Sequence, residues 1–188
     1  EVRREVARAS RGETPEPAVV ASRAEPRGDL PWPDARDRSL AVERGFAKLV
    51  VQRPDLLGAD WDGITADDFS HPAYRAIWEA ALQAAGTPAA GEWSQRLREA
   101  SPSQTVHQLV IALAVEQTLN EPDRAYVEMY AATLKLRSVD RAISTLKSRI
   151  QRTNPVDQDA AYRTMFGELI GMEAQRKELL LRTIGARD

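Results

Sequence analysis

The chain has 188 residues, no cysteine and a formal net charge of −2, which results from 26 basic and 28 acidic residues. The lack of cysteine excludes disulfides, thiolate metal sites and thiol nucleophiles, and the balanced charge excludes nucleic-acid binding over the whole surface. No apolar run approaches the roughly 20 residues that span a membrane and no signal peptide is recognisable, so we expect a cytoplasmic protein that does not contact membranes.

Residues 1–38 are predicted to form a flexible, proline-rich linker or tail. They contain five of the eleven prolines, and their basic and acidic residues cancel. Such a segment buries too little apolar surface to compensate for the entropy lost on ordering. Trp32, between Pro31 and Pro33, is either an anchor on the following domain or a solvated side chain. The chain begins at Glu1 rather than at methionine, which suggests a fragment of a longer protein.

Residues 39–121 are predicted to form a helical bundle. Apolar residues recur at three- and four-residue steps over about 39–53, which is typical of an amphipathic helix. Pro54 ends this helix because proline lacks the N–H group that the helix needs. Thr65 and Asp68 have the spacing of a capping box, which predicts a short helix after the turn.

Three more helices are predicted to complete the bundle. Ser70 is expected to cap the first of them, and Gly86 to end it. A short helix follows over about 90–100. Ser101, in the stretch SPSQ, is expected to cap the last helix. Its sequence, TVHQLVIALAVEQ, is apolar almost all round and predicts the most buried helix of the chain.

Residues 122–188 are predicted to form an antiparallel helical hairpin. Pro122 opens a long helix with no proline or glycine until Pro155. Its apolar residues keep the 3-4-3-4 spacing of a coiled-coil seam: Leu136, Val139, Ile143, Leu146 and Ile150. A second helix repeats this rhythm after the turn TNPVD. If it is continuous, the long helix exceeds the diameter of a small bundle, so either much of the hairpin protrudes from the bundle or the helix bends near its middle. In both cases we expect the hairpin to form a second subdomain.

No catalytic, metal-binding or cofactor-binding motif is recognisable. The acidic stretch DWDGITADD lacks the glycine and glutamate spacing of an EF-hand calcium loop. The two histidines, His71 and His107, have no further ligands at metal-binding spacing, and neither a glycine-rich phosphate loop nor a serine nucleophile elbow is present. We therefore predict that the chain is not an enzyme by itself and acts by binding, without a cofactor.

The predicted hairpin carries the most unusual surface of the chain. Between residues 131 and 152 a single acidic residue, Asp140, accompanies six basic ones: Lys135, Arg137, Arg141, Lys147, Arg149 and Arg152. A basic helix face is either simply solvated or directed at a partner. A two-helix hairpin covers each helix on one side only, so its apolar residues cannot all be buried; those in question are Met165, Phe166, Ile170, Leu180 and Leu181. Such a surface is typically completed by helices of another protein.

The order of these motifs resembles the C-terminal helicase-binding domain of bacterial DnaG-type primases. The resemblance spans about residues 39–188 and is carried by FAKLVVQRPDLL, then DDFSHPAYRAIWEAAL and a closing hairpin. It implies an all-α fold, in which a bundle related to the N-terminal domain of the DnaB-type replicative helicase precedes a protruding antiparallel helical hairpin that contacts the helicase hexamer. It also implies that residues 1–38 connect to the RNA polymerase domain of a DNA primase, whose catalytic parts are absent from this chain.

The resemblance implies roles for three groups of residues. Helicase contacts are predicted near the end of the hairpin, through Arg149, Arg152, Tyr162, Arg163, Phe166 and Ile170. Some family members bind the acidic tail of single-stranded-DNA-binding protein near the first bundle helix, where Arg44 and Lys48 are the matching candidates. Packing and capping, rather than binding, is predicted for Asp68, Phe69, Pro72, Tyr74, Arg75 and Ile77.

Two other functions are alternatives to an adaptor that recruits primase to the replicative helicase at the replication fork. The first is the N-terminal bundle of the helicase itself, although a helicase carries its linker and ATPase after that bundle, whereas here the linker comes first. The second is a nucleic-acid-binding helical module, although the hairpin lacks an aromatic row for base stacking. Direct contact with nucleic acid is therefore not expected.

Overall fold

A computed structural model describes residues 29–58, 63–86, 92–118, 121–154 and 158–185. These ranges contain helices and no β-strand, so the predicted all-α class is confirmed. Within them six α-helices follow one another: α1 (Ala41–Gln52), α2 (Pro72–Gly86), α3 (Trp93–Glu99), α4 (Gln104–Val115), α5 (Arg124–Arg152) and α6 (Asp159–Gly185). No helix of the described ranges combines the length and apolarity needed to cross a membrane.

Several helix ends follow directly from the sequence. α1 ends two residues before Pro54. The predicted capping box is present, because the Asp68 carboxylate accepts hydrogen bonds from the backbone N–H of Thr65 at 2.7 Å and from its hydroxyl at 3.1 Å. Asp123 caps α5 by accepting from the backbone N–H of Tyr126 at 2.8 Å. α5 then continues for 29 residues without a break.

The predicted cap of α4 is wrong by two residues. The hydroxyl oxygen of Ser103, not of Ser101, accepts from the first turn, through the backbone N–H of Val106 at 3.3 Å. The Ser101 hydroxyl instead donates to the backbone oxygen of Leu97 at 2.9 Å, at the end of α3. The stretch holds two serines, and capping-box spacing alone selects the wrong one.

The predicted cap of α2 is replaced by a buried carboxylate from α1. Glu43 is 2% exposed. It accepts hydrogen bonds from the backbone N–H of Ser70 at 2.9 Å, from that of His71 at 3.0 Å and from the Ser70 hydroxyl. A negative charge is favourable at a helix N-terminus because the first N–H groups lack partners within the helix. Ser70 therefore donates to Glu43 and does not cap the helix through its own side chain.

The bundle encloses an aromatic centre. The rings of Phe46, Phe69 and Trp78 are buried, with centroids 5.7 to 6.2 Å apart. Helices α1 to α4 and the first part of α5 supply the apolar side chains around them. Tilted ring pairs at these distances contribute to stability beyond the area that they bury.

α5 packs closely against α1 at Gly45. A Cβ atom at this position would lie 2.1 Å from Cε1 of Tyr130 on α5. That distance is well inside van der Waals contact, so the tyrosine ring fits only against glycine. The long helix is thereby joined to the first helix of the bundle.

α4 is less buried than its composition predicts. Its sequence is apolar almost all round, yet Ile111 is 43% exposed and Val115 is 77% exposed. The core takes one stripe of the helix: Val106, Leu109, Val110 and Leu113. Ile111 and Val115 lie one turn apart on another side of the helix. The prediction that α4 is the most buried helix is therefore wrong.

Beyond the bundle, α5 and α6 pack against each other as an antiparallel hairpin. The centre of their seam is formed by Val139 and Ile143 of α5 and Leu179 of α6. Partly buried side chains surround it: Leu136, Leu169 and Met172. Among the described elements α6 packs extensively only against α5, so each helix of the hairpin is covered on one side.

Two ion pairs join the helices of the hairpin outside the seam. Lys147 lies 2.8 Å from the Glu173 carboxylate, and Arg176 lies 2.7 Å from Asp140. All four side chains are substantially exposed, and exposed pairs contribute little to stability. Their positions establish the antiparallel alignment of α5 and α6.

The chain before α1 touches the bundle. Leu30 packs against the core, Pro33 is buried, and the Thr105 hydroxyl donates to the Asp29 carboxylate at 3.3 Å. Trp32, by contrast, is 52% exposed. The contact of this segment with the bundle is therefore made by the residues around Trp32.

Candidate protein-binding surface

The outward side of α6 carries a row of apolar side chains, which we call the apolar row: the partly buried Tyr162 and the exposed Phe166 and Ile170. They follow at four-residue steps and so lie on one side of the helix. Phe166 is 44% exposed and Ile170 is 66% exposed, while the rings of Tyr162 and Phe166 have centroids 5.4 Å apart. A Cβ at the neighbouring Gly167 or Gly171 would meet no heavy atom within 4 Å. The row is therefore open to a partner.

Three arginines predicted to contact the helicase surround the end of the hairpin. Arg149 and Arg152 belong to the last turn of α5, where they line a groove together with Met165 of α6. Arg163 lies in the first turns of α6 and pairs with Asp159 of the same helix at 2.9 Å. All three arginines are exposed. The structure thus brings basic charge and the apolar row to the same end of the hairpin.

Three other basic residues of α5 are directed at the bundle. Lys135, Arg137 and Arg141 donate hydrogen bonds to backbone oxygens that lie 72 to 98 residues away in the sequence. Such acceptors leave no signal in the sequence, because every residue has a backbone oxygen. The six basic residues therefore do not form one continuous surface for phosphate groups, which is what electrostatic nucleic-acid binding needs.

Arg44 and Lys48, the candidates for binding an acidic tail, are engaged by the end of α4. Arg44 pairs with the Glu116 carboxylate, and Lys48 donates to the backbone oxygen of Gln117 at 2.6 Å. Burial by itself would lower the pKa of Arg44, but the neighbouring Tyr74 hydroxyl and the Glu116 carboxylate raise it above its ordinary value. Cations beside a helix C-terminus are favourable, so this pair helps to hold the end of α4.

The residues predicted to pack and cap lie around the start of α2. Phe69, Tyr74 and Ile77 are buried, and Asp68 forms the capping box. Pro72 is the first residue of α2, and the Arg75 guanidinium donates to the backbone oxygen of Phe69 at 3.3 Å. In the described part of the chain, no three metal-ligating side chains come together.

Comparison with known proteins gives one family from both sequence and structure. The family described as DNA primase DnaG DnaB-binding matches residues 43–165. The DNA primases of Mycobacterium leprae and Mycolicibacterium smegmatis are each 36% identical to the chain, over 159 and 160 residues. Each alignment covers 81% of this chain and 25% of the relative. The chain therefore spans about a quarter of the length of these curated relatives.

A solved structure has the same kind of fold. The helicase binding domain of primase from Mycobacterium tuberculosis matches with a TM-score of 0.59 and 31% sequence identity, over 78% of this chain and 94% of that one. The family match ends at residue 165, so Phe166 and Ile170 lie just beyond it. Their assignment to a binding surface rests on their exposure.

Proposed function

This chain belongs to the family of DnaB-binding domains of the DNA primase DnaG, and from this premise we propose that it is the helicase-binding module of a DNA primase. It recruits the primase to a DnaB-type replicative helicase at the replication fork, in the bacterial cytoplasm. The module acts by binding, and primer synthesis belongs to other parts of a primase. Several modules on one helicase ring would raise a modest affinity per site.

The apolar row is the observation that carries this proposal. Phe166 and Ile170 are large, exposed and one helix turn apart on a helix that is covered on one side only. Aromatic and aliphatic side chains of this kind act as anchors when a helical partner covers them. The N-terminal domain of the helicase is the partner that we propose, with Tyr162 and Phe166 inserted into its surface.

The exposed arginines supply direction rather than most of the affinity. Arg149, Arg152 and Arg163 surround the end of the hairpin, where side chains remain accessible to water. Charges at the rim of an interface mainly increase the association rate and select the orientation of the partner. We therefore propose that the helicase presents carboxylates around an apolar contact.

Neither alternative function is favoured. The relatives of this chain are primases, which argues against the N-terminal bundle of the helicase itself. Direct nucleic-acid binding is disfavoured because Lys135, Arg137 and Arg141 are engaged by the bundle. The acidic tail of single-stranded-DNA-binding protein would reach Arg44 and Lys48 only by displacing Glu116, so we assign these two residues to the bundle.

The proposal is tested by calorimetric titration of the chain with the N-terminal domain of the DnaB-type helicase from the same organism. The double variant Tyr162→Ala, Phe166→Ala removes two side chains of the apolar row. We expect saturable binding by the parent chain and a loss of affinity of about tenfold or more in the variant, since buried aromatic anchors are each worth more than about 1 kcal/mol. Circular dichroism checks that the variant remains folded.

The control is the double variant Ile111→Ala, Val115→Ala, which removes two exposed apolar side chains from the bundle. It should bind the helicase domain as the parent chain does. Equal affinity of the apolar-row variant and the parent would exclude Tyr162 and Phe166 from the interface. No binding by the folded parent chain would reject the proposed function itself.

A further inference from the structure

Three basic side chains in the middle of α5 donate hydrogen bonds to the bundle. Lys135 donates to the backbone oxygen of Gly63 at 2.6 Å and lies 3.0 Å from the Asp68 carboxylate. Arg137 donates to the backbone oxygen of Ser39 at 2.7 Å. Arg141, one turn further along α5, makes the same kind of bond, so three basic side chains connect this helix to the bundle.

The acceptor for Arg141 is again part of the turn that precedes α2. Its guanidinium donates to the backbone oxygen of Asp68 at 2.6 Å. Asp68 is 3% exposed and also forms the capping box with Thr65, so it is held firmly from its own side. One residue of the bundle thus receives both Lys135 and Arg141, through its carboxylate and its backbone oxygen.

These three residues reach the bundle from both sides of α5. At about 100° per residue, Arg137 and Arg141 lie roughly 160° and 120° around the helix axis from Lys135. Bonds on one side only would let the helix roll toward them, whereas bonds on both sides oppose rolling in either direction. Hydrogen bonds that involve a charged donor are also stronger than neutral ones.

The packing of α6 does not replace these bonds. Where the end of α6 passes the bundle, a groove of about 700 Å³ separates the two, with Ile64 on one side and Leu179 on the other. Lys135 lies at the edge of the same groove. α6 packs extensively only against α5 among the described elements, so the direction of the hairpin depends on how α5 is held.

We infer that Lys135, Arg137 and Arg141 form a polar clamp that sets the direction of the hairpin relative to the bundle and so positions the apolar row. They are positioning residues, since none of them belongs to the apolar row itself. The value of this clamp for helicase binding rests on the proposed function. The direction of the hairpin does not, and it can be measured on the chain alone.

Pulsed electron paramagnetic resonance measures that direction as a distance distribution. The chain has no cysteine, so Gln108→Cys on the bundle and Gln151→Cys near the hairpin end can be spin-labelled without background. Both positions are exposed. In the clamp variant, Lys135, Arg137 and Arg141 are each replaced by Met, which keeps an apolar stem and removes the donors. We expect at least a twofold broadening of the distribution or a shift of its centre.

The matched control replaces Lys147, Arg149 and Arg152 by Met on the same helix, and so removes the same charge outside the clamp. Its distance distribution should match that of the parent chain. Unchanged distances in a folded clamp variant, or equal broadening in both variants, would overturn the clamp. If the triple variant does not fold, the double variant Arg137→Met, Arg141→Met is measured instead. Unchanged distances in this double variant, or broadening equal to that of the control, would likewise overturn the clamp.

Titration of the clamp variant with the intact helicase hexamer separates this inference from the proposed function. With a broadened distribution, we expect an affinity several-fold weaker than that of the parent chain. If the distances broaden while the parent chain does not bind the hexamer, the clamp stands and the proposed function fails. If the parent binds and the distances do not change, the proposed function stands and the clamp fails.

Discussion

The bundle and the hairpin use similar helices but bury them to different extents. Phe46 and Trp78 in the bundle core are fully buried, whereas Val139 and Ile143 in the hairpin seam keep 8% and 6% of their surface exposed. A bundle helix has several neighbours, while a hairpin helix beyond the bundle has one. The bundle can therefore complete its own core, and the hairpin retains apolar surface that a partner can cover.

α5 belongs to both regions. Because of this, the stability of the hairpin depends on the bundle more than the stability of the bundle depends on the hairpin. Val127 and Leu134, in its first half, are part of the bundle core, and Ile143 lies in the seam with α6. Loss of the bundle removes the base on which the hairpin stands. Opening of the seam leaves the bundle core intact. A substitution that unfolds the bundle should therefore also unfold the hairpin, whereas one that opens the hairpin seam should leave the bundle folded.

The largest effect is expected for Phe46→Ala. Removal of this ring from the aromatic centre should lower the free energy of unfolding by about 3–5 kcal/mol. Urea unfolding, followed by circular dichroism, measures the change. Leu82→Ala is the control, because Leu82 is 45% exposed and its truncation should change stability by less than about 0.5 kcal/mol.

Hydrogen exchange on the Phe46 variant tests how the damage spreads. The amides of α6 should lose protection together with those of the bundle, because α5 loses its support. Persistent protection of α6 in a chain whose bundle has opened would show that the hairpin is stable without the bundle.

A smaller and local effect is expected for Ile143→Ala. Because the seam is covered on one side only, we expect a cost of about 2 kcal/mol, at the low end for truncation of a buried isoleucine. Hydrogen exchange should accelerate in α6 and in the second half of α5, while amides of α1 and α2 keep the protection seen in the parent chain. Loss of protection throughout the bundle would contradict the unequal dependence of the two regions.

Ile170→Ala is the matched control for that variant, since the same side chain is removed from the exposed side of the hairpin. Ile170 is 66% exposed, against 6% for Ile143. Exchange rates in the free chain should be nearly unchanged. A comparison of the two variants thereby distinguishes the contribution of seam packing to stability from that of the surface proposed to bind the helicase.

The smallest effect is a dependence of the hairpin on pH. A hydrogen bond from Lys147 holds the pKa of Glu173 below its ordinary value of 4.5. A lowered folded-state pKa means that the stabilisation is present above the ordinary value and disappears as the pH falls through the folded-state value. Protection of α6 amides should therefore decrease somewhat on acidification below about pH 4.5, and Glu173→Gln should remove the part of this dependence that Glu173 contributes. An identical pH profile in this variant would show that the ion pair contributes nothing.

Features that depend on residues a few positions apart in the chain could be predicted from the sequence. The end of α1 near Pro54 and the capping box of Thr65 and Asp68 both follow from residue types within a few positions of one another. The seam spacing predicts the hairpin for the same reason, because its period reports which side of each helix is covered. The lack of proline and glycine predicts a long helix after Pro122, but it does not decide whether that helix bends. The exposure of Phe166 and Ile170 follows from the limited cover in a two-helix hairpin.

Features that depend on distant neighbours were not predictable from residue types. Glu43 lies on the predicted first helix, but its acceptor role requires the N–H groups of Ser70 and His71, 27 and 28 residues later. The outward position of Ile111 depends on which side of α4 the other helices cover. Lys135, too, is chemically similar to the exposed basic residues of α5, and only the folded chain distinguishes it.

The continuity of α5 has a mechanical consequence. At about 1.5 Å per residue, the stretch of α5 beyond Arg141 is roughly 16 Å long, so a tilt of about 10° at its base moves its end by about 3 Å. A small rotation of α5 at its contacts with the bundle therefore moves the end of the hairpin by about the length of a hydrogen bond. A force applied to the end of the hairpin would in turn act on the turn before α2, through the contacts of Asp68 with α5.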